Sequence, residues 1–170
     1  TPNPKPQTPF SDLCMLRRKD FNKFRMSKAV LQTEKFLNKT FKISKHICAK
    51  TVETFADLAV DHNPLHLSPD FASQTSFKRP IAHGMLSASL FSGAISSNIR
   101  SAVYLKQNLK FLRPVFVGET VEAEVAVVSE RQSHRGVKLG LRTRVLNESG
   151  DVVIDGEAEI LVPNDHQERD

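Results

Sequence analysis

The residues best equipped for chemistry lie in DLAVDHNPLHLSPDF, residues 57–71, with RPIAHGMLSASLFSG following at 79–93. Asp61, Asn63 and His66 flank Pro64 there, a D-x-N-P-x-H pattern. A carboxylate and an imidazole facing one water molecule can orient it and take its proton, and imidazole titrates near neutral pH. A proline-stiffened turn can bring Asp61 and His66 toward a common point, with Asn63 holding the turn by side-chain bonds to the backbone. Metal ligation is a second possibility, because His62 and His66 stand four apart as in helical zinc motifs. That spacing puts both imidazoles on one face only in a helix. Pro64 lies between them and breaks it, so no metal is expected. The third possibility is a polar turn in which Asp61 caps and His66 is simply satisfied. Taken alone, the pattern favours that one.

Gly84 shifts the balance. It falls where a second apolar helix begins, and there free backbone N–H groups point outward and the helix dipole favours negative charge. Such a terminus can hold a thioester oxygen as it turns into an enolate, and glycine lets a ligand approach the backbone closely. An acid–base pair beside an oxyanion donor is what reversible water addition to an α,β-unsaturated thioester needs, without a cofactor. His83 is expected to pack or to bond the backbone rather than react.

These groups must be positioned by a small set of elements. TFKISKHI (40–47) alternates Phe41, Ile43 and Ile47 and predicts a strand. TVETFADLA carries Val52, Phe55, Ala56 and Ala59 at helical spacing, with Thr51 placed to cap it. Pro64 ends that helix near Asp61. Residues 62–80 hold three prolines and predict a long excursion with at most a short helix near DFASQT. HGMLSASLFSGAISS is apolar on nearly every side, which predicts a central, buried helix. Only strands follow. Val103, Leu105, Leu109 and Phe111 alternate, as do Val121 to Val127, Val137 to Val145, and Val152, Ile154, Ala158 and Ile160. The order argues an α+β layer fold with one sheet curled round one helix.

At 170 residues the chain suffices for one domain with a real core. Its charge is unevenly spread. Residues 1–40 carry nine Lys/Arg against three Asp/Glu, and the rest carries fifteen against sixteen. The basicity therefore belongs to the N-terminal segment, whereas a nucleic-acid binder wants basic residues over a folded face. No nucleic-acid partner is expected. No run of about 18 apolar residues exists, so no stable membrane insertion is expected. Cys14 and Cys48 make neither a disulfide framework nor a metal motif and read as free thiols. Residues 1–34, proline-rich and then basic and loosely amphipathic, have the composition of a mitochondrial transit peptide. The domain is expected over 35–163, with a polar tail over 164–170.

FADLAVDHNPLHLSPDFASQTSFKRPIAHGML resembles the hydratase motif of the MaoC-like, (R)-specific enoyl-CoA hydratases. Sequence of the type LASLFSG usually follows it, and this chain has SASLFSG at 87–93. LKFLRPVFVGETVEAEVAV at 109–127 resembles a strand pair of that family, and the likeness covers about residues 38–162. It implies a hot-dog fold, a long central helix wrapped by a bent antiparallel sheet, and a homodimer. Carried over by position, Asp61 and His66 match the catalytic pair, Asn63 the asparagine of the turn, Gly84 the oxyanion glycine and Ser92 a serine lining the active site. Small-residue packing explains Ser92 nearly as well.

The expected acyl path follows the helix past Met85, Leu86 and Phe91. The expected substrate is an enoyl or (R)-3-hydroxyacyl thioester of CoA or acyl carrier protein. Together with the leader, the likeness points to the mitochondrial 3-hydroxyacyl-thioester dehydratase type 2 branch and the matrix, with cytoplasm or peroxisome as alternatives. Two other functions stay open: a hot-dog thioesterase, which would want a carboxylate on the central helix, and a non-catalytic acyl- or nucleic-acid-binding module.

Overall fold

A computed structural model of the protein describes residues 36–164. The basic leader, Cys14 and the polar tail beyond 164 lie outside the described residues. The elements run β1 (Thr40–His46), α1 (Ala49–Ala59), α2 (Pro64–Leu67), α3 (Pro69–Ser73), α4 (Gly84–Ser96), β2 (Val103–Phe111), β3 (Thr120–Ser133), β4 (Gly136–Leu146) and β5 (Val152–Pro163). The strands form one antiparallel sheet in the order β1-β3-β4-β5-β2. Helix α4 packs on the face of β3, β1 and β4, which is the α+β arrangement the alternation predicts.

Period-2 alternation fixes which face is buried. Val121, Ala123, Val125 and Val127 of β3 and Val137, Leu139, Leu141 and Val145 of β4 all point inward. In β5 the alternation slips. Val145 pairs with Ile154 while Leu146 pairs with Val152, so Val153 is an extra residue, a β-bulge. Val153 and Ile154 are consequently both buried. The Val153 carbonyl accepts from the amides of Leu112 and Arg113, which fixes the end of β2. On the outer face both signs of charge interleave: Lys42 with Glu122 and Glu124, Lys138 and Arg131 with Glu159, Arg142 and Arg144 with Asp155.

Three expectations need correction. Helix α1 starts before Thr51, because the Cys48 carbonyl already accepts from the amides of Thr51 and Val52. Cys48 is therefore the cap residue, without a side-chain cap bond. Its free thiol lies 3.2 Å from the Thr51 hydroxyl, which holds it below the ordinary thiol range. The excursion after α1 contains two short helices, each opened by a proline at its first turn. Finally, α4 is not buried all round. Met85, Ser89, Ser92 and Ser96 form an exposed stripe, while Leu86, Ser87, Ala88, Phe91, Ala94 and Ile95 are buried.

Candidate active site

Helix α1 ends on Val60, whose backbone is left-handed (φ 55°, ψ 34°), and the Asp61 amide closes the end on the Ala56 carbonyl at 3.0 Å. Glycine is the usual residue at such a helix end. A β-branched residue there is strained, by about 1–2 kcal/mol. Val60 is 82% exposed, so no packing offsets the strain. Val60→Gly should therefore raise Tm by about 2–4 °C in thermal unfolding.

The chain then turns sharply. The Asn63 amide donates to Asp61 Oδ1 at 3.3 Å, and Asn63 Oδ1 accepts from the Leu65 amide at 3.0 Å, capping α2. Pro64 occupies the first helical position, where its missing N–H costs nothing. One turn on, His66 points back toward Asp61. Its Nδ1 lies 2.8 Å from the Ile81 carbonyl, which can only accept, so Nδ1 carries the proton and Nε2 keeps its lone pair. Ile81 is held by its own bridge to Phe116, and the Ala82 amide bonds the Val115 carbonyl at 2.7 Å.

His83, the cap residue of α4, completes the cluster. It is 3% exposed and donates from Nε2 to the Asp61 carbonyl at 2.9 Å, with the Asp61 carboxylate 3.9 Å away. Its ring stacks on His66 with centroids 3.8 Å apart and a 34° tilt, and Phe55 covers it on another side at 5.3 Å. One nitrogen or carboxylate oxygen from each of Asp61, His66 and His83 lies within 4.8 Å of the others. The donor set is one a metal could use, but two of the four ring nitrogens are committed to carbonyls. Imidazoles also ligate through lone pairs in the ring plane, and stacked rings point these side by side rather than at one centre. The arrangement suits proton handling. His62 faces away, exposed and 3.0 Å from Asp57.

A cavity of about 460 Å³ opens beside the cluster, lined by His66, Gly84, Met85 and Ser87 together with apolar groups including Phe77, Phe111 and Ile154. Gly84 stands at the first turn of α4, and a Cβ built on it would lie 2.7 Å from Phe111 Cε1. Asp61 flanks the cavity rather than lining it, with its side chain 51% exposed.

Of the residues expected along an acyl path, Met85 lines the cavity. Leu86 instead borders a depression with Cys48, Phe55 and Leu58, and Phe91 is in the core. At about 100° per residue a helix shows only one stripe to any one cavity. Ser92 borders an open groove between α4 and β2, together with Met85, Ser89, Tyr104 and Leu105. Burial pushes the Tyr104 phenol up, and a hydrogen bond with Ser92 offsets part of that. Sequence reasoning missed Phe111 and Ser87 as cavity residues. Ser87 carried a signal, since it lies three positions after Gly84 and so on the same helix face.

A helix seated on a five-stranded antiparallel sheet, with an acid–histidine turn at its N-terminus, defines a hot-dog fold of the hydratase type. The chain belongs to the MaoC-like domain family, whose model matches residues 32–149. It is 44% identical over 124 residues to an (R)-specific enoyl-CoA hydratase from Aeromonas caviae, covering 72% of this chain and 91% of that protein. It is 32% identical over 139 residues to a mitochondrial 3-hydroxyacyl-[acyl-carrier-protein] dehydratase from Arabidopsis thaliana, covering 81% of each. Among solved structures it is similar to the Aeromonas caviae (R)-hydratase involved in PHA biosynthesis. The TM-score is 0.71 at 43% identity, over 75% of this chain and 96% of that one.

Proposed function

We propose that the protein catalyses the reversible syn hydration of trans-2-enoyl thioesters to (R)-3-hydroxyacyl thioesters, carried on CoA or acyl carrier protein. The observation that carries this is the His66 ring, held at Nδ1 by the Ile81 carbonyl, with a ring nitrogen within 4.8 Å of an Asp61 carboxylate oxygen. Water held between the two attacks C3 and gives up a proton to the pair. The C2–C3 π electrons move toward the thioester, and the Gly84 N–H holds the oxygen as it becomes an enolate. A proton returned from the pair to C2 collapses the enolate, and the pair ends in its starting state. Asn63 braces the turn, and no cofactor enters the balance.

The test is crotonyl-CoA and a longer enoyl-carrier-protein, followed by loss of the conjugated thioester absorbance with product chirality determined. An (R)-3-hydroxy product is expected. Free thiol released without hydroxyacyl product would instead mark a thioesterase, against which stands the lack of any Asp or Glu on α4.

The protein's setting is proposed as mitochondrial fatty acid synthesis in the matrix. The basic leader composition supports this, as does the likeness to mitochondrial dehydratases of Arabidopsis thaliana and Solanum lycopersicum. Its working form is proposed as a homodimer. Strand β2 is a sheet edge, with unpaired backbone groups on one side and Val103, Tyr104 and Leu105 exposed beside the bare stripe of α4. Sedimentation should give the mass of two chains, and Leu105→Glu should shift it toward one.

A further inference from the structure

Ser87 lies in the second turn of α4, three residues after Gly84, and lines the same cavity as Gly84 and His66. It is 1% exposed, and its hydroxyl has no hydrogen-bond partner. Helical serines commonly bond back to a carbonyl three or four residues earlier. Two others on this helix do so: Ser89 Oγ donates to the Leu86 carbonyl at 2.7 Å, and Ser96 Oγ to that of Gly93 at 3.3 Å. Ser87 does not. A buried hydroxyl left unpaired costs about 1–3 kcal/mol, which an apolar side chain at the same place would avoid.

We infer that the Ser87 hydroxyl is a second donor to the thioester carbonyl oxygen, alongside the Gly84 N–H. The inference rests on the hydration reading. Side chains of a helix lean toward its N-terminus, and residues three apart share a face. A Ser87 side chain leaning that way brings its hydroxyl toward the turn whose amides are free. The Leu86 amide there is already taken by the His83 carbonyl at 3.0 Å, which leaves those of Gly84 and Met85. In the bound substrate, the oxygen at C3 is served by Asp61 and His66, and the acyl tail is apolar. The thioester oxygen is the atom in reach that can accept. As negative charge builds on it, a hydroxyl bond strengthens more than it does in the ground state.

Ser87→Ala tests this against wild type in the same crotonyl-CoA assay. The expected result is a kcat lowered about 10- to 100-fold with KM changed less than about twofold. Tm should be unchanged or higher, because the unpaired hydroxyl is gone. Preference among acyl chain lengths should stay as in wild type. An unaltered kcat would overturn the inference, whether accompanied by a changed chain-length preference, which marks Ser87 as space for the acyl chain, or by a lower Tm, which marks a structural hydroxyl. Wild-type protein that hydrates neither the CoA nor the carrier-protein substrate would instead defeat the hydration reading itself.

Discussion

Asp61→Asn and His66→Gln should each lower kcat/KM for crotonyl-CoA hydration by about 10²- to 10⁴-fold, with little change in thermal stability. The two substitutions remove different things. Asparagine keeps an oxygen to accept from the Asn63 amide, so the turn survives, but it carries no negative charge to orient and deprotonate water. Glutamine can still donate to the Ile81 carbonyl, but it presents no basic lone pair where Nε2 stood. Both side chains stand at the cavity edge rather than in the core, so neither change opens a void. The double variant should be scarcely slower than the worse single one, since groups acting as a unit are not additive. Near-wild-type turnover in both single variants would show that the pair is a polar turn and nothing more.

Gly84→Ala is expected to lower kcat/KM by about 10²- to 10³-fold while the protein folds normally, because the added methyl group and the ring it displaces keep the thioester oxygen from the Gly84 amide. The added Cβ would meet Phe111 Cε1 at 2.7 Å and Cδ1 at 2.8 Å. A backbone atom at that distance would threaten the fold. A half-exposed ring at the end of β2 can swing aside instead. Phe111 and Gly84 line the same cavity, so the ring has little room to move without encroaching on the substrate. Alanine is also no worse than glycine in a helix. Kinetics and Tm should therefore separate, with activity lost and stability kept. Full activity in Gly84→Ala would show that the substrate needs no close approach over a bare Cα at position 84.

Much of the site could be read from local chemistry. Pro64 forces α1 to stop, and Asn63 and Pro64 together write the start of α2, because capping and φ restriction act within a few residues. Strands β3 and β4 were equally legible, since alternation of valine and leucine needs no partner to be seen. What escaped depends on contacts between distant segments. His66 meets His83 through contacts with a segment fifteen or more residues away, itself bridged from Ile81 to Phe116, and no spacing within 57–71 records them. The bulge at Val153 breaks the alternation of β5 for a reason that lies in its pairing with β4. The bare stripe of α4 also went unread. Serines look compatible with a buried helix until the sheet shows which side it leaves uncovered. The core position of Phe91 followed from the same helix phase.

The carbonyl of Ile81 sets the His66 proton, while the side chain of the same residue lines the cavity. A main-chain oxygen is present whatever residue is encoded, so mutation at position 81 can reshape the pocket without erasing the hydrogen bond that holds the His66 ring. Selectivity and reactivity are in this way separately heritable at a single codon. On the proposed mechanism, substrate range can drift while the Asp61–His66 pair is held constant by the backbone itself.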